Sequence, residues 1–251
     1  MNFFHWFYLF SIAVQVLNLG GQHKKRRMDM YEVETEICQQ LEGLKEKGVI
    51  RTGDVRKVAA TEYKKLKNRS TEDVFELCEH LLDKGDWALK VIAFEFAHRR
   101  KAHYGPGTFD RFESWLFKYV RDWGDCDDFC THAFGDLLAM NPQLAKRVSR
   151  WTGCNQFWVR RASAVILIPS IRKDVQLGDI PFEIASDLLH DSHHLVLKGY
   201  GWMLKELGRK HPDPVIDFLR RNVSKMPRVS FRYALEKLDS SQKDSLMKLD
   251  G

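Results

Sequence analysis

The chain of 251 residues lacks most features that announce a function. Its five cysteines, Cys38, Cys78, Cys126, Cys130 and Cys154, are odd in number and scattered through helical patterns. That excludes a disulfide scaffold and fits reduced thiols at small core positions in a cytoplasmic protein. No segment alternates apolar and polar residues between hairpin turns, so no strand is needed. Phosphate-binding loops, dinucleotide fingerprints, nucleophile elbows and kinase motif sets are all missing. Cys126, Cys130 and His132 cluster without a second ligand pair at zinc-site spacing, and neither a metal nor an organic cofactor is expected.

A long uninterrupted apolar run is absent too. Asn2 to Gly21 is broken by His5, Ser11, Gln15 and Asn18 and falls short of the roughly 20 residues a bilayer core requires. As a secretory signal it has no charged start, and its basic cluster, Lys24 to Arg27, lies on the wrong side. A third reading starts translation at Met28 or Met30. Residues 1–29 are therefore set aside as an extension, either a start-site artefact or a targeting or anchor segment, and residues 30–251 are taken as one domain.

The charge balance is 40 basic against 34 acidic residues, with +3 of the +6 excess in residues 1–29. So mild an excess favours polyanions only weakly. The placement of the cations says more. Five segments align without gaps: Trp87-Ala-Leu-Lys90, Trp123-Gly-Asp-Cys126, Trp158-Val-Arg-Arg161, Leu195-Val-Leu-Lys198 and Val229-Ser-Phe-Arg232, spaced by 36, 35, 37 and 34 residues. Such a period marks a helical solenoid, in which equivalent positions of stacked repeats line one face. Lys90, Arg161, Lys198 and Arg232 are expected to form one basic surface. The second copy breaks the rule, with Cys126 at the basic position and Asp127 beside it.

Apolar spacing and punctuation predict helices throughout. They run over 31–47, over 54–67 with Asp54 as cap, and from 70 to a stop at Gly85; then over 87–104, 109–120 and 124–140, with another opened by Asn141-Pro142. Further helices cover 157–168 closed by Pro169, 180–189, 194–207 closed by Gly208, 212–221, and 228–238 after Pro227. The fold class is all-α, a curved stack of antiparallel helix pairs. Trp87, Trp123 and Trp158 open repeats and read as core packing. Trp202 sits seven residues past its repeat start and is presented differently. Trp123 and Asp127 lie one helical turn apart on one face. His193-His194 reads as a polar N-terminal turn.

Trp123-Gly-Asp-Cys-Asp127, Trp158-Val-Arg-Arg161-Ala162 and Lys198-Gly-Tyr-Gly201-Trp202-Met-Leu-Lys-Glu206 resemble, in order and spacing, signature segments of the AlkD family of DNA alkylation repair glycosylases. The likeness runs from about Ser70 to Leu238, where Arg228 to Glu236 resembles the family's closing helix. Gly124, Cys126 and Pro169 are local departures. The resemblance implies a HEAT-like repeat solenoid, an α-α superhelix whose concave basic face holds duplex DNA. It also implies a monofunctional hydrolase that removes 7-methylguanine and 3-methyladenine without a base-flipping pocket. In that reading Asp127 is the catalytic carboxylate, Trp123 and Trp202 are the aromatic pair on the lesion nucleotide, and Arg161 meets neighbouring phosphates. A monomer is expected, with double-stranded DNA as partner and neither metal nor membrane. The rival reading is a non-catalytic repeat protein that binds nucleic acid or another protein. An acid inside a basic column would repel phosphate, and that favours the enzyme.

Overall fold

The computed structural model describes residues 32–249, and the N-terminal extension lies outside them. All regular structure among the described residues is helical, as the missing alternation implied. None of these helices is long and apolar enough to cross a membrane.

The chain divides between Leu77 and Cys78 into two compact units. The first holds α1 (32–46), α2 (Thr52–Leu66) and the start of α3 (Thr71–Asp83). Ile37, Leu41, Val55, Ala59 and Leu66 fill its interior. Glu62, buried on α2, is satisfied by Gln40 at 2.6 Å and Lys65 at 2.8 Å. No side chain caps α2; Asp54 instead sits in its first turn and bonds Lys57 at 2.9 Å.

The second unit is built from α4 (Trp87–Arg99), α5 (Thr108–Lys118), α6 (Trp123–Thr131), α7 (Ala133–Met140), α8 (Ala145–Val148), α9 (Phe157–Val165), α10 (Ile168–Arg172), α11 (Ile180–Asp187), α12 (His194–Lys210), α13 (Pro212–Asn222), α14 (Arg228–Leu235) and α15 (Ser240–Met247). In one layer α4 packs on α6 and α7, these on α9 and α10, those on α12, and α12 on α14. Asp86 and Asp122 cap α4 and α6 by accepting backbone N–H bonds, which starts both helices at the repeat tryptophan. Between the layers lies an aromatic core: Phe94 stacks on Phe129 at 4.5 Å, and Phe112, Trp115 and Phe134 close around them.

Polar contacts follow the repeat. Trp115 reaches Glu79, Trp151 reaches Glu113, Arg147 reaches Asp110 and Glu113, and Lys90 reaches Asp125, each between equivalent stretches 34 to 38 residues apart. Each repeat thus satisfies polar groups of the next.

Four punctuation signals act differently from the sequence reading. The 124–140 stretch is two helices, because His132 leaves helical backbone geometry at φ −121° and ψ −98°. The bend brings the Cys130 carbonyl to Gly135, where a Cβ would lie 2.2 Å from its oxygen. Pro169 opens α10 rather than closing its predecessor, since a proline in a first turn loses no helical hydrogen bond. Gly208 lies inside α12 against Val215 and Leu238. Finally α15, too polar to show a stripe, is started by an Asp239–Gln242 capping box.

Candidate functional site

The N-terminal turns of α4, α6, α9 and α12 stand side by side, joined by a chain of charges. On α6, Asp125 and Asp127 flank the buried Cys126. Asp125 accepts from Lys90 of α4 at 2.6 Å. Asp127 accepts both arms of the Arg161 fork from α9, each at 2.8 Å. Arg161 then donates to the carbonyl of Leu195 in the first turn of α12. A single helix therefore supplies the acids for the cations on both sides, and this is what the break in the repeat accomplishes.

The pairing changes what the basic column is. Lys90 is 8% exposed and Arg161 5% exposed, both neutralised by α6. Only Lys198, half-buried, and Arg232, exposed, face solvent without a partner among the described residues. Burial would lower the affinity of the Arg161 guanidinium for its proton, but Asp127 more than offsets it and the group is held in its charged form. On Asp125 burial prevails and lifts the carboxyl above its ordinary range despite Lys90.

Gly199 makes the Arg161 contact possible. A Cβ there would sit 3.1 Å from both Cγ and a terminal nitrogen of Arg161, so the guanidinium crosses α12 where the helix has no side chain. The Asp127 side chain keeps 21% exposure. Of its roughly four lone-pair sites the fork takes two, leaving the others for a ligand or water.

Trp123 is 53% exposed and Trp87 44%, so these repeat-opening indoles stand at the surface, contrary to the packing role read from sequence. Trp158 is half-buried, with its carbonyl receiving the Cys126 thiol. The tryptophans that pack the core are Trp115 and Trp151. Trp202, one turn beyond Gly199 on α12, donates its indole N–H to Glu206 at 3.2 Å, and Arg172 stands over its ring at 5.8 Å. It thus joins a different ion cluster from the one holding Asp127. His193 caps α12 by accepting from Leu195 N–H and stacks on Phe157 at 3.8 Å. Cys130 is fully buried, and burial pushes its thiol well above the usual range. Among the described residues no three His, Cys, Asp or Glu side chains are arranged to hold a metal ion.

Sequence reasoning missed Asp125, Gly199, Arg172 and Glu206. The acids had a signal, since Asp125 lies 35 residues from the lysine it neutralises, as Asp127 lies 34 from its arginine. Gly199 had none, because its role depends on what crosses it.

Fold and site together define a helical-repeat protein with a partly exposed carboxylate fixed by a buried arginine among surface tryptophans. A search of curated proteins finds no match. Among solved structures it is similar to a predicted DNA alkylation repair enzyme from Enterococcus faecalis, with a TM-score of 0.67 and 14% identity, over 76% of this chain and 87% of that one. The family model described as DNA alkylation repair enzyme matches residues 46–238, and the chain belongs to that family.

Proposed function

We propose that the protein is a monofunctional DNA glycosylase that hydrolyses the N-glycosidic bond of cationic alkylated purines, 7-methylguanine and 3-methyladenine, in duplex DNA. The observation that carries this reading is the Asp127–Arg161–Leu195 clamp in a member of the DNA alkylation repair family. An N-alkylated purine already bears positive charge and leaves without a general acid. The enzyme has only to stabilise the sugar cation that develops and to direct a water to it. A carboxylate held rigidly and open on one side suits both tasks, since its charge needs no reorganisation as the bond breaks. Trp123 and Trp202 offer indole faces that attract a cation. Arg161 acts first by fixing Asp127 and, with Lys90, by keeping the acidic turn of α6 neutral near phosphate. Lys198 and Arg232 supply open contacts to the backbone. No base-flipping pocket is required, and the protein works as a cytoplasmic monomer with duplex DNA as its partner.

The test is release of 7-methylguanine from methylated duplex by the protein and by Asp127→Asn. Release by the parent, with a loss of about 10²- to 10³-fold in a variant that still binds DNA, is expected. No release by either, despite salt-sensitive DNA binding, moves the protein to the non-catalytic binders.

A further inference from the structure

At the other end of the same helix layer the ion pairs stop being balanced. Asp136 on α7, with 10% side-chain exposure, receives Lys173 at 2.6 Å on one oxygen. Its other oxygen takes Lys101 and His98, both at 2.9 Å. Three segments, the end of α4, the short 3-10 turn Lys101–His103 and the end of α10, thus converge on one carboxylate. Next to it Glu206, 9% exposed, holds Arg172 at 2.9 Å and Arg209 at 3.3 Å. Two buried acids therefore carry four permanent cations. Along the N-terminal turns the count is one to one, and in the other layer a single arginine, Arg147, serves two acids.

One carboxylate needs one cation. Bringing a second ammonium within hydrogen-bond distance of the same group costs repulsion, and the surplus charge is left for solvent or a polyanion to neutralise. The lysines are placed for the latter, since their side chains are 50% and 51% exposed while each nitrogen is tied to Asp136. Every ammonium has three N–H donors, so some remain unused. Anchoring also removes rotamer freedom that a loose surface lysine would lose on binding. The cluster adjoins the proposed site, because Arg172, next to Lys173, stands over the Trp202 ring.

We propose that Lys101 and Lys173, held by Asp136, together with Arg172 and Arg209, held by Glu206, form a grip on adjacent phosphodiesters of the nucleic-acid backbone beside Trp202. The grip rests on the proposed action on DNA and assigns to that surface residues outside the repeat's basic column. It reads no sequence; it sets how the duplex lies against the indole.

The test measures affinity for an unmodified duplex across a salt series. The variant is Lys101→Gln with Asp136→Asn and Lys173→Gln, which keeps a neutral hydrogen-bonded cluster and leaves no buried carboxylate unpaired. Lys101→Gln alone is a second, milder variant. Each phosphate contact contributes about 0.9 to the slope of log affinity against log salt. The triple variant should lose about 1.8 of that slope and Lys101→Gln about 0.9, equally on unrelated sequences. A parent-like slope in both variants, with the parent binding in a salt-sensitive way, overturns the grip alone. Salt-insensitive binding by the parent overturns the grip and the reading beneath it.

Discussion

Arg161 has no slack. Both its arms are on Asp127, a third bond goes to the Leu195 carbonyl, and Gly199 lies against its stem. A methyl at Gly199 would have to displace either the guanidinium or the start of α12. We expect Gly199→Ala to cost about 1–3 kcal/mol of stability, the usual range for overpacking. 7-Methylguanine release should fall more than DNA affinity does, because the carboxylate moves with its arginine while Lys198 and Arg232 stay. Denaturant unfolding and single-turnover release separate the two effects, and a variant with full activity and parental stability would contradict this account of the clamp. The exposed Trp123 makes the converse case. Its 53% exposure means that truncation removes little packing.

Among the helices, the break between α6 and α7 matters most. A continuous helix from 124 to 140 would satisfy the apolar spacing equally well. The kink at His132 instead lets Asp127 face α9 while Asp136 faces the ends of α4 and α10. Thr131 supports the bend by donating to the Asp127 carbonyl at 2.7 Å. Gly135 permits it, with the Cys130 oxygen 2.2 Å and the Pro169 ring 2.5 Å from where a Cβ would stand. Backbone cannot yield as a flexible side chain can, so Gly135→Ala should destabilise the fold by more than about 2 kcal/mol. Thermal melts of that variant beside Gly153→Ala check this, since a Cβ at Gly153 meets nothing within 4 Å. Equal melting temperatures would show that the bend is not under constraint.

For the whole molecule, the uneven charge ladder sets the response to acid. Burial alone would raise Asp136, but His98, Lys173 and Lys101 together hold it well below the usual carboxylate range. Glu206 is lowered chiefly by its bond to Arg172, and Asp191 is lowered by Arg160 in spite of burial. A carboxyl depressed in the folded state contributes stability above its unfolded value, near pH 4, and loses it as pH falls through the folded value. Asp125, lifted by burial, works in the opposite direction and gains as pH falls. Three depressed groups against one raised should leave stability flat from pH 7 to about pH 5 and make it fall steeply below about pH 4. Denaturant midpoints at successive pH values read this directly. A midpoint that holds steady to pH 3 would mean the clusters do not persist in solution.

What the sequence by itself determined is the helical class, the repeat length and the position of the one irregular copy. These are local properties. Apolar spacing sets the helices, the capping aspartates before Trp87 and Trp123 set their starts, and recurrence at 34 to 37 residues sets the stack. It also brought out Asp127, Trp123, Trp202 and Arg161, because an acid where neighbours carry cations is visible in an alignment of the chain with itself. Only the tertiary structure decided which cations are spent. Lys90 and Arg232 occupy equivalent positions, yet one is buried on Asp125 and the other open. The difference comes from the next repeat, which offers Lys90 an acid and leaves Arg232 in solvent. The same holds for Asp136, Glu206 and Gly199, whose roles depend on side chains at least 34 residues away that only packing brings within reach.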